Sequence, residues 1–381
     1  MSFSADELEA EARAATGLED FGTTYYREGL ERTVEALNAE AGLNELGNVI
    51  QHATIGNALI QRLRIEQTYR EHPEIDAEVV GGPVFVIGLP RTGTTALSQL
   101  VANDPQFRSL RTWESQACTP PPEADTQHTD PRIAAAAEGI AMMDQMFPRM
   151  RTMMSSEPEA ATECQDLMGM SFRTFHFDGV VRVPGYLSWL MQCDMRETYA
   201  YHRRVLKLLQ WHCPPNLWHL RTPVHMFSLD ALVEAYPNAK FLWSHRDPAK
   251  VLASVCSLIH YVRSWSSDRD DAVELGAEQL DSWAEAVRRA MDFRKRLGDD
   301  RFVDVSFADL QADSVATVEA AYERLGLTFS DDAGARVTEW ARAHQPGSRG
   351  EHAYELGDYG LTPERVRERF SEYLASYDAT A

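Results

Sequence analysis

The sequence predicts an α/β fold in which a P-loop-like parallel β-sheet is flanked by helices, with a helical N-terminal extension and helical insertions. Two observations predict it. Short apolar runs of the strand type, WHLR, KFLWSH and RFVDV, alternate with segments of helical spacing, which is typical of βαβ units. An earlier run, VFVI, passes through a glycine turn directly into the start of a helix.

The first 80 residues have the spacing of an amphipathic helical extension. Their apolar residues recur three and four positions apart, as in IQHATIGNALIQRLRIEQTYREH. We expect residues 81–381 to form the main domain. Within it, the Pro-rich residues 118–132 predict a loop, and residues 133–210 are mainly helical, with interruptions at Pro158 and at Pro184-Gly185.

The run PVFVIGLPRTGTT has the layout of a phosphate-binding loop. Four β-favouring residues end at Gly88, where the backbone can curl, and a helix follows. Thr94 and Thr95 fall in the first turn of that helix, where free N–H groups and the helix dipole favour an anion. The loop is therefore suited to phosphate or sulfate.

The residues missing from this loop narrow the choice of ligand. Gly88, Gly93 and Thr95 fit the pattern G-x-x-x-x-G-K-[ST], but Thr94 occupies the lysine position, which weakens a nucleotide-triphosphatase interpretation. Arg91 supplies the positive charge instead, and its planar fork can hold two oxygens of a phosphosulfate group. The alternative is an ordinary strand, turn and helix with an incidental arginine.

A second motif follows the strand-like run KFLWSH. It consists of Arg246-Asp247-Pro248 and a helical run that contains Ser254 about two turns further on. By itself, Arg-Asp-Pro after a strand is equally typical of a helix-capping turn.

Taken together, the two motifs resemble those of the sulfotransferases that use 3′-phosphoadenosine 5′-phosphosulfate (PAPS). The similarity is greatest to the bacterial branch with an LPRTGTT-type loop, which is related to the protein-tyrosine sulfotransferases, and it extends over residues 83 to about 362. It implies transfer of a sulfuryl group from PAPS to a small hydroxyl acceptor, release of adenosine 3′,5′-bisphosphate, and no metal. The contacts that it implies with the nucleotide come from Arg91, Thr92, Gly93, Thr94, Thr95, Arg246, Ser254, Arg349 and Gly350, with His352 and Tyr354 beside them.

The resemblance also implies the catalytic residues. Arg221 stands where relatives commonly carry a lysine that stabilises the bridging oxygen, and Glu114 in LRTWES is the candidate for the base that accepts the acceptor proton. A solvent-facing glutamate or a helix cap is the alternative for Glu114. His225, four residues after Arg221, and His176 are the rival bases, although a structural or surface role is common for histidines of this kind.

The composition of the chain indicates which partners it can bind and in which cellular compartment it is found. The formal net charge of −21 argues against nucleic acid and anionic membranes, because most faces of the molecule repel them. The apolar runs are too short for stable membrane insertion, the N-terminus is unlike a targeting peptide, and the five cysteines form no C-x-x-C pair, so we expect a cytoplasmic protein with reduced thiols. Oligomeric state stays open.

Methionine and aromatic residues are concentrated between residues 142 and 191, and those that are not core would suit an apolar acceptor such as a lipid, sterol, quinol or aryl alcohol. Two other classes remain as alternatives. One is a P-loop kinase, which needs the missing lysine and an acidic magnesium ligand. The other is a non-catalytic nucleotide-binding protein.

Overall fold

A five-stranded parallel sheet forms the centre of the computed structural model, which describes residues 2–154, 156–269, 271–344, 354–377 and 379. The strand order is β2-β3-β1-β4-β5, and every pairing is parallel. The strands are β1 Val84–Gly88, β2 Phe107–Ser109, β3 Leu217–Arg221, β4 Lys240–His245 and β5 Phe302–Ser306. The predicted α/β fold is confirmed. The sequence pattern does not predict β2, because its residues FRS contain no apolar run.

Helices surround this sheet and occupy most of the chain before it. The helices that precede β1 are α1 Ala5–Thr16, α2 Tyr25–Ala39 and α3 Glu45–Glu71. Those between β1 and β3 are α4 Thr94–Ala102, α5 Thr112–Gln116, α6 Pro131–Met146, α7 Met150–Met153, α8 Gln165–Gly169, α9 His176–Val180, α10 Pro184–Leu190 and α11 Arg196–Gln210. Those after β3 are α12 Leu229–Ala235, α13 Pro248–Ser266, α14 Ala272–Leu297, α15 Phe307–Ala312, α16 Ser314–Leu325, α17 Asp331–Ala343, α18 Pro363–Arg369 and α19 Ser371–Ser376. Short 3₁₀ turns lie at Pro73–Ala77, Pro223–Phe227, Asp299–Arg301 and Leu356–Tyr359.

Both faces of the sheet are buried, which explains why its strands read as continuous apolar runs. Val84 and Val86 face a core layer that contains residues of α4 and α16. Phe85 and Ile87 alternate with them and face a larger core on the other side. That larger core also contains Leu30 of α2 and other residues of α1 and α3, so the N-terminal helices and the sheet share one hydrophobic core.

The order of the strands places a crevice at the carboxyl end of β1. The chain leaves β1 toward β2 on one side and later crosses from β3 to β4 on the other, and such a switch point opens a crevice between the loops. The register aligns Val86 with Arg221 of β3, and Gly88 with Ser244 of β4. The two predicted phosphate motifs therefore begin at neighbouring positions on one sheet edge.

Gly88 permits the close approach of β1 to β4 at this edge. Its φ is +140°, and a Cβ built there would lie 2.6 Å from the Ser244 carbonyl oxygen and 3.1 Å from the Thr92 hydroxyl oxygen. Both the backbone conformation and the space require glycine.

We expect Gly88→Ala to lower the free energy of unfolding by about 2 kcal/mol or more, because it combines backbone strain with a clash against a neighbouring strand. Urea denaturation followed by circular dichroism measures this. Gly56→Ala is the matched control: Gly56 lies within α3, a Cβ there meets nothing within 4 Å, and alanine favours the helix. Equal stabilities for the two variants would contradict the requirement for glycine at position 88.

Candidate active site

The loop after β1 is a tight turn that leads into α4. Arg91 adopts a positive φ of 68°, and Gly93 caps the helix with a φ of 86°. The Thr92 side chain is fully buried; its hydroxyl group donates to the Leu89 carbonyl oxygen at 2.7 Å and lies 2.6 Å from the Ser244 hydroxyl oxygen. The Thr92 hydroxyl thus holds the loop together, while Thr94 and Thr95 line the cleft beside it.

The Arg91 side chain joins the first motif to the second. Its Nε donates to the Ser254 hydroxyl oxygen at 3.0 Å, and its Nη1 donates to the Met153 carbonyl oxygen at 2.8 Å. Burial lowers the pKa of Arg91, and the nearby Arg246 charge adds to this effect. A concentrated positive field of this kind favours an anionic ligand.

Arg246 completes the connection from the end of β4. Its Nη1 donates to the Arg91 carbonyl oxygen at 3.0 Å, and its guanidinium lies 4.1 Å from the centre of the Phe307 ring. Helix α13 starts directly after it, with the Asp247 side chain accepting from the Ala249 N–H, and carries Ser254. The motif is therefore both a helix cap and a wall of the cleft.

Arg221 lies at the end of β3, behind the first turn of α4. Its Nη1 is 3.2 Å from the Thr95 hydroxyl oxygen, and its Nη2 donates to the Ala161 carbonyl oxygen at 3.4 Å. The same Nη1 is 3.5 Å from Oε1 of Glu163. Arg221 thus touches both the anion-binding turn and a carboxylate.

Glu163 is a site residue that the sequence interpretation missed. It precedes α8 in a segment held against β3, where the Cys164 N–H donates to the Arg221 carbonyl oxygen at 2.9 Å. Its Oε2 accepts hydrogen bonds from the Thr222 hydroxyl at 2.9 Å and from the Gln165 amide at 3.1 Å. The side chain is 27% exposed and lines the cleft. No local motif marks it in the sequence.

Most of these residues line one cleft of about 730 Å³, whereas Thr92 and Arg221 are buried and are not part of its lining. The site candidates that line it are Arg91, Gly93, Thr94, Thr95, Arg246, Ser254 and Tyr354. The start of α4 and two arginines offer separate positive regions, which fits a nucleotide that carries anionic groups at both ends. Arg349, Gly350 and His352 lie outside the described residues.

Glu114, in contrast, is placed in a buried ion-pair cluster and does not line the cleft. Its side chain has no exposure, and its Oε1 lies 2.5 Å from Nη2 of Arg108 and 2.8 Å from Nη2 of Arg111. Its Oε2 accepts from the Arg111 N–H at 3.1 Å, which caps α5. Burial by itself would raise the pKa of Glu114, but the two arginines outweigh it and hold the pKa below the usual range. This geometry is that of a structural carboxylate.

The histidine candidates are also not among the residues that line the cleft. His225 is fully buried, with Nδ1 2.8 Å from the Tyr199 hydroxyl oxygen and its ring edge-on to Phe85. Burial holds the pKa of His225 well below its ordinary value, and the neighbouring His202 contributes. His176 is half-buried at the start of α9, and burial lowers its pKa while Asp166 opposes the shift.

Among the residues that the structure describes, no group of three or more histidine, cysteine, aspartate or glutamate side chains is arranged to hold a metal ion. None of the helices there has both the length and the apolar character needed to cross a membrane.

Comparison with known proteins decides the family. Residues 83–331, more than half of the chain, match the model of the sulfotransferase family. The chain belongs to this family. The fold of this sulfotransferase is similar to crystal structures of STF1 from Mycobacterium tuberculosis (33% identity, 97% of this chain and 99% of that one, TM-score 0.88) and STF9 from Mycobacterium avium (30% identity, 99% and 98%, TM-score 0.91).

One relative of the chain has a name that states its acceptor. Omega-hydroxy-beta-dihydromenaquinone-9 sulfotransferase Stf3 of Mycobacterium bovis is 25% identical over 309 residues, which cover 77% of this chain and 74% of Stf3. Family membership makes the protein a transferase and implies PAPS as the sulfate donor. It decides against the P-loop kinase and the non-catalytic binding protein.

We expect Arg246→Ala to weaken binding of adenosine 3′,5′-bisphosphate by about 1.5 to 3 kcal/mol, because the predicted charge-assisted contact with the 3′-phosphate would be lost. Calorimetric titration measures this loss, which should be much smaller for adenosine 5′-phosphate. Ser254→Ala should act in the same direction. Arg64→Ala, an exposed arginine of α3, is the control. Equal losses for both ligands would remove Arg246 from the 3′-phosphate site.

We expect Glu114→Gln to lower the free energy of unfolding by about 3 kcal/mol, because it leaves two buried arginines without their carboxylate. Turnover per folded molecule should stay near wild type. Glu35→Gln, which breaks an exposed pair with Arg32, should cost less than about 1 kcal/mol. Because folding lowers the pKa of Glu114, its contribution to stability is present above the unfolded-state pKa of about 4.3 and is lost as the pH falls through the folded-state value. A stable but inactive Glu114→Gln enzyme would restore its catalytic assignment.

Proposed function

We propose that this sulfotransferase moves a sulfuryl group from PAPS to the hydroxyl group of a small, lipid-like acceptor and releases adenosine 3′,5′-bisphosphate. One observation supports the assignment of the site most strongly. Glu163 and Thr95 line the same cleft, and the buried Arg221 behind them contacts both, at the turn that is suited to the transferring group.

Different residues of the site would hold the two anionic ends of the donor. When bound, PAPS supplies the sulfuryl group that is transferred. Arg91, Thr94 and Thr95 would hold the phosphosulfate end, and Arg246 with Ser254 would hold the 3′-phosphate. Arg221 is placed to stabilise the negative charge that develops on the bridging oxygen, because it reaches the same turn through Thr95. Thr92 and Gly93 shape the turn, and roles for Arg349 and Gly350 remain predictions.

Glu163 is the proposed general base. Its Oε2 is held by two neutral donors, so the carboxylate is oriented while Oε1 lies toward Arg221. It would take the proton from the acceptor hydroxyl as the oxygen–sulfur bond forms and the bond to the 5′-phosphate breaks. Glu114 and His225 remain the earlier candidates, but both are buried away from the cleft lining.

The apolar part of the cleft supports a lipid-like acceptor. Met154, Leu258 and Pro223 line it together with Glu163. The name of the relative Stf3 describes an acceptor that is a hydroxylated menaquinone derivative. An apolar acceptor needs few fixed polar partners, which agrees with this lining.

The partner class, the location and the domain boundary of the protein are proposals as well. The net charge of −21 supports a small-molecule partner over nucleic acid. The proposals of a cytoplasmic location and of a domain boundary at residue 80 rest on the sequence pattern.

We expect Glu163→Gln to reduce kcat by about 10² to 10⁴, because it removes the basic oxygen that accepts the proton. Initial rates with labelled PAPS measure this, and the affinity for adenosine 3′,5′-bisphosphate should change little. Glu114→Gln is the matched control at a buried carboxylate. Full activity in Glu163→Gln, or a loss only in Glu114→Gln, would refute Glu163 as the base.

A further inference from the structure

Helices α6 and α7 form an exposed, methionine-rich surface beside the cleft. We call residues 131–154 the methionine cap. Of the 16 residues of α6, Ala136 is the one that is buried. Met142, Met143 and Met146 near its end are 57%, 37% and 45% exposed. Met142 and Met146 are one turn apart and share a face of the helix.

This apolar exposure is concentrated rather than scattered. Among the described residues, eight large hydrophobic side chains are exposed, and four of them belong to residues 142–154. The other four, Leu46, Val49, Val79 and Val273, lie elsewhere in the chain. Single exposed apolar residues are ordinary, whereas a cluster indicates a binding surface.

The cap is fixed at its base. Phe147 stacks on Trp265 of α13, with ring centres 3.7 Å apart and planes 13° from parallel. Arg151 pairs with Asp144 at 2.7 Å, which holds α7 to the end of α6. The helices that carry the exposed methionines are therefore held in place by contacts with the rest of the fold.

The methionine cap reaches the cleft at its C-terminal end. The Met153 carbonyl oxygen accepts from Nη1 of Arg91 at 2.8 Å, and Met154, 45% exposed, lines the cleft together with Glu163. A molecule whose hydroxyl group reaches Glu163 can thus extend from Met154 along the cap. The cleft of about 730 Å³ must also hold the nucleotide, so a long acceptor cannot be enclosed within it.

We propose that the methionine cap binds the apolar tail of a lipid alcohol while its hydroxyl group is held at Glu163. This proposal rests on the proposed function, since it assumes that the cleft receives an acceptor hydroxyl. Methionine side chains are flexible and polarisable, so they can pack against a hydrocarbon chain of no fixed shape. The occupant is a single lipid chain, because the exposed methionines lead to Met154, which lines the cleft that would receive the hydroxyl group of the same molecule.

Photo-crosslinking tests the location of the tail without requiring turnover. The full-length protein, saturated with adenosine 3′,5′-bisphosphate, is irradiated with dodecanol that carries a diazirine at the end remote from the hydroxyl group. Peptide mass spectrometry should place the label within residues 131–154, and excess dodecanol should suppress it. Labelling elsewhere, or labelling that dodecanol does not suppress, would overturn the proposal.

A paired variant then separates tail binding from chemistry. Met142→Gln/Met146→Gln should lose at least half of the suppressible label and raise the KM for dodecanol about fivefold, with kcat unchanged, because apolar contact is lost. The KM for butanol should not change. Val273→Gln, at an exposed residue outside the cap, is the control, and thermal melting checks that both variants fold.

Different results would contradict the proposed sulfotransferase function and the proposed binding of a lipid tail by the methionine cap. If neither alcohol accepts sulfate but the label maps to the cap, the proposed acceptor chemistry fails and the binding surface stands. If both alcohols are sulfated and the paired variant raises both KM values equally or neither, the proposal for the cap fails while the proposed function stands.

Discussion

A reciprocal pair of hydrogen bonds between two loops holds the cleft in its shape. Arg246, at the end of β4, donates to the backbone of Arg91, and the Arg91 side chain donates to Ser254 in the helix that follows Arg246. The two loops are 155 residues apart in sequence, so neither can close the contact without the sheet. The parallel pairing of β1 with β4 brings them together, and the small size of Gly88 permits that pairing.

The sequence predicts the features of the site that are locally encoded. The conformation of the first loop is determined by consecutive residues: a glycine turn after an apolar strand, with an arginine and two threonines. The same holds for Arg246 and Ser254, whose separation is set by the helix between them. The structure contains the parallel sheet that these motifs predict, and its fold is similar to those of STF1 and STF9.

Other features depend on contacts between distant segments. Glu163 acquires its position because the Cys164 backbone pairs with β3 and the Thr222 side chain binds its carboxylate, and neither partner is adjacent in sequence. The arginine partners of Glu114 are only six and three residues away, but the sequence does not show that folding buries this carboxylate completely. The predicted interruption at Pro184 lies between two helices, because α9 ends at Val180 and Pro184 begins α10, where its missing N–H costs nothing. Strand β2 forms because β3 pairs with it, not because its own residues favour a strand strongly.

The crowding of positive charge around the cleft links ligand occupancy to the stability of the whole molecule. Arg91 and Arg246 are both partly desolvated, their pKa values are lowered by burial, and they lie close enough that Arg246 further lowers the pKa of Arg91. Taking two guanidinium groups partly out of water costs free energy, and a nucleotide anion bound beside them would offset part of that cost. A ligand that binds only the folded chain shifts the equilibrium toward the folded state as its concentration rises. If the cleft binds the donor as proposed, the lifetime of the enzyme in the cell would therefore depend on the supply of that donor.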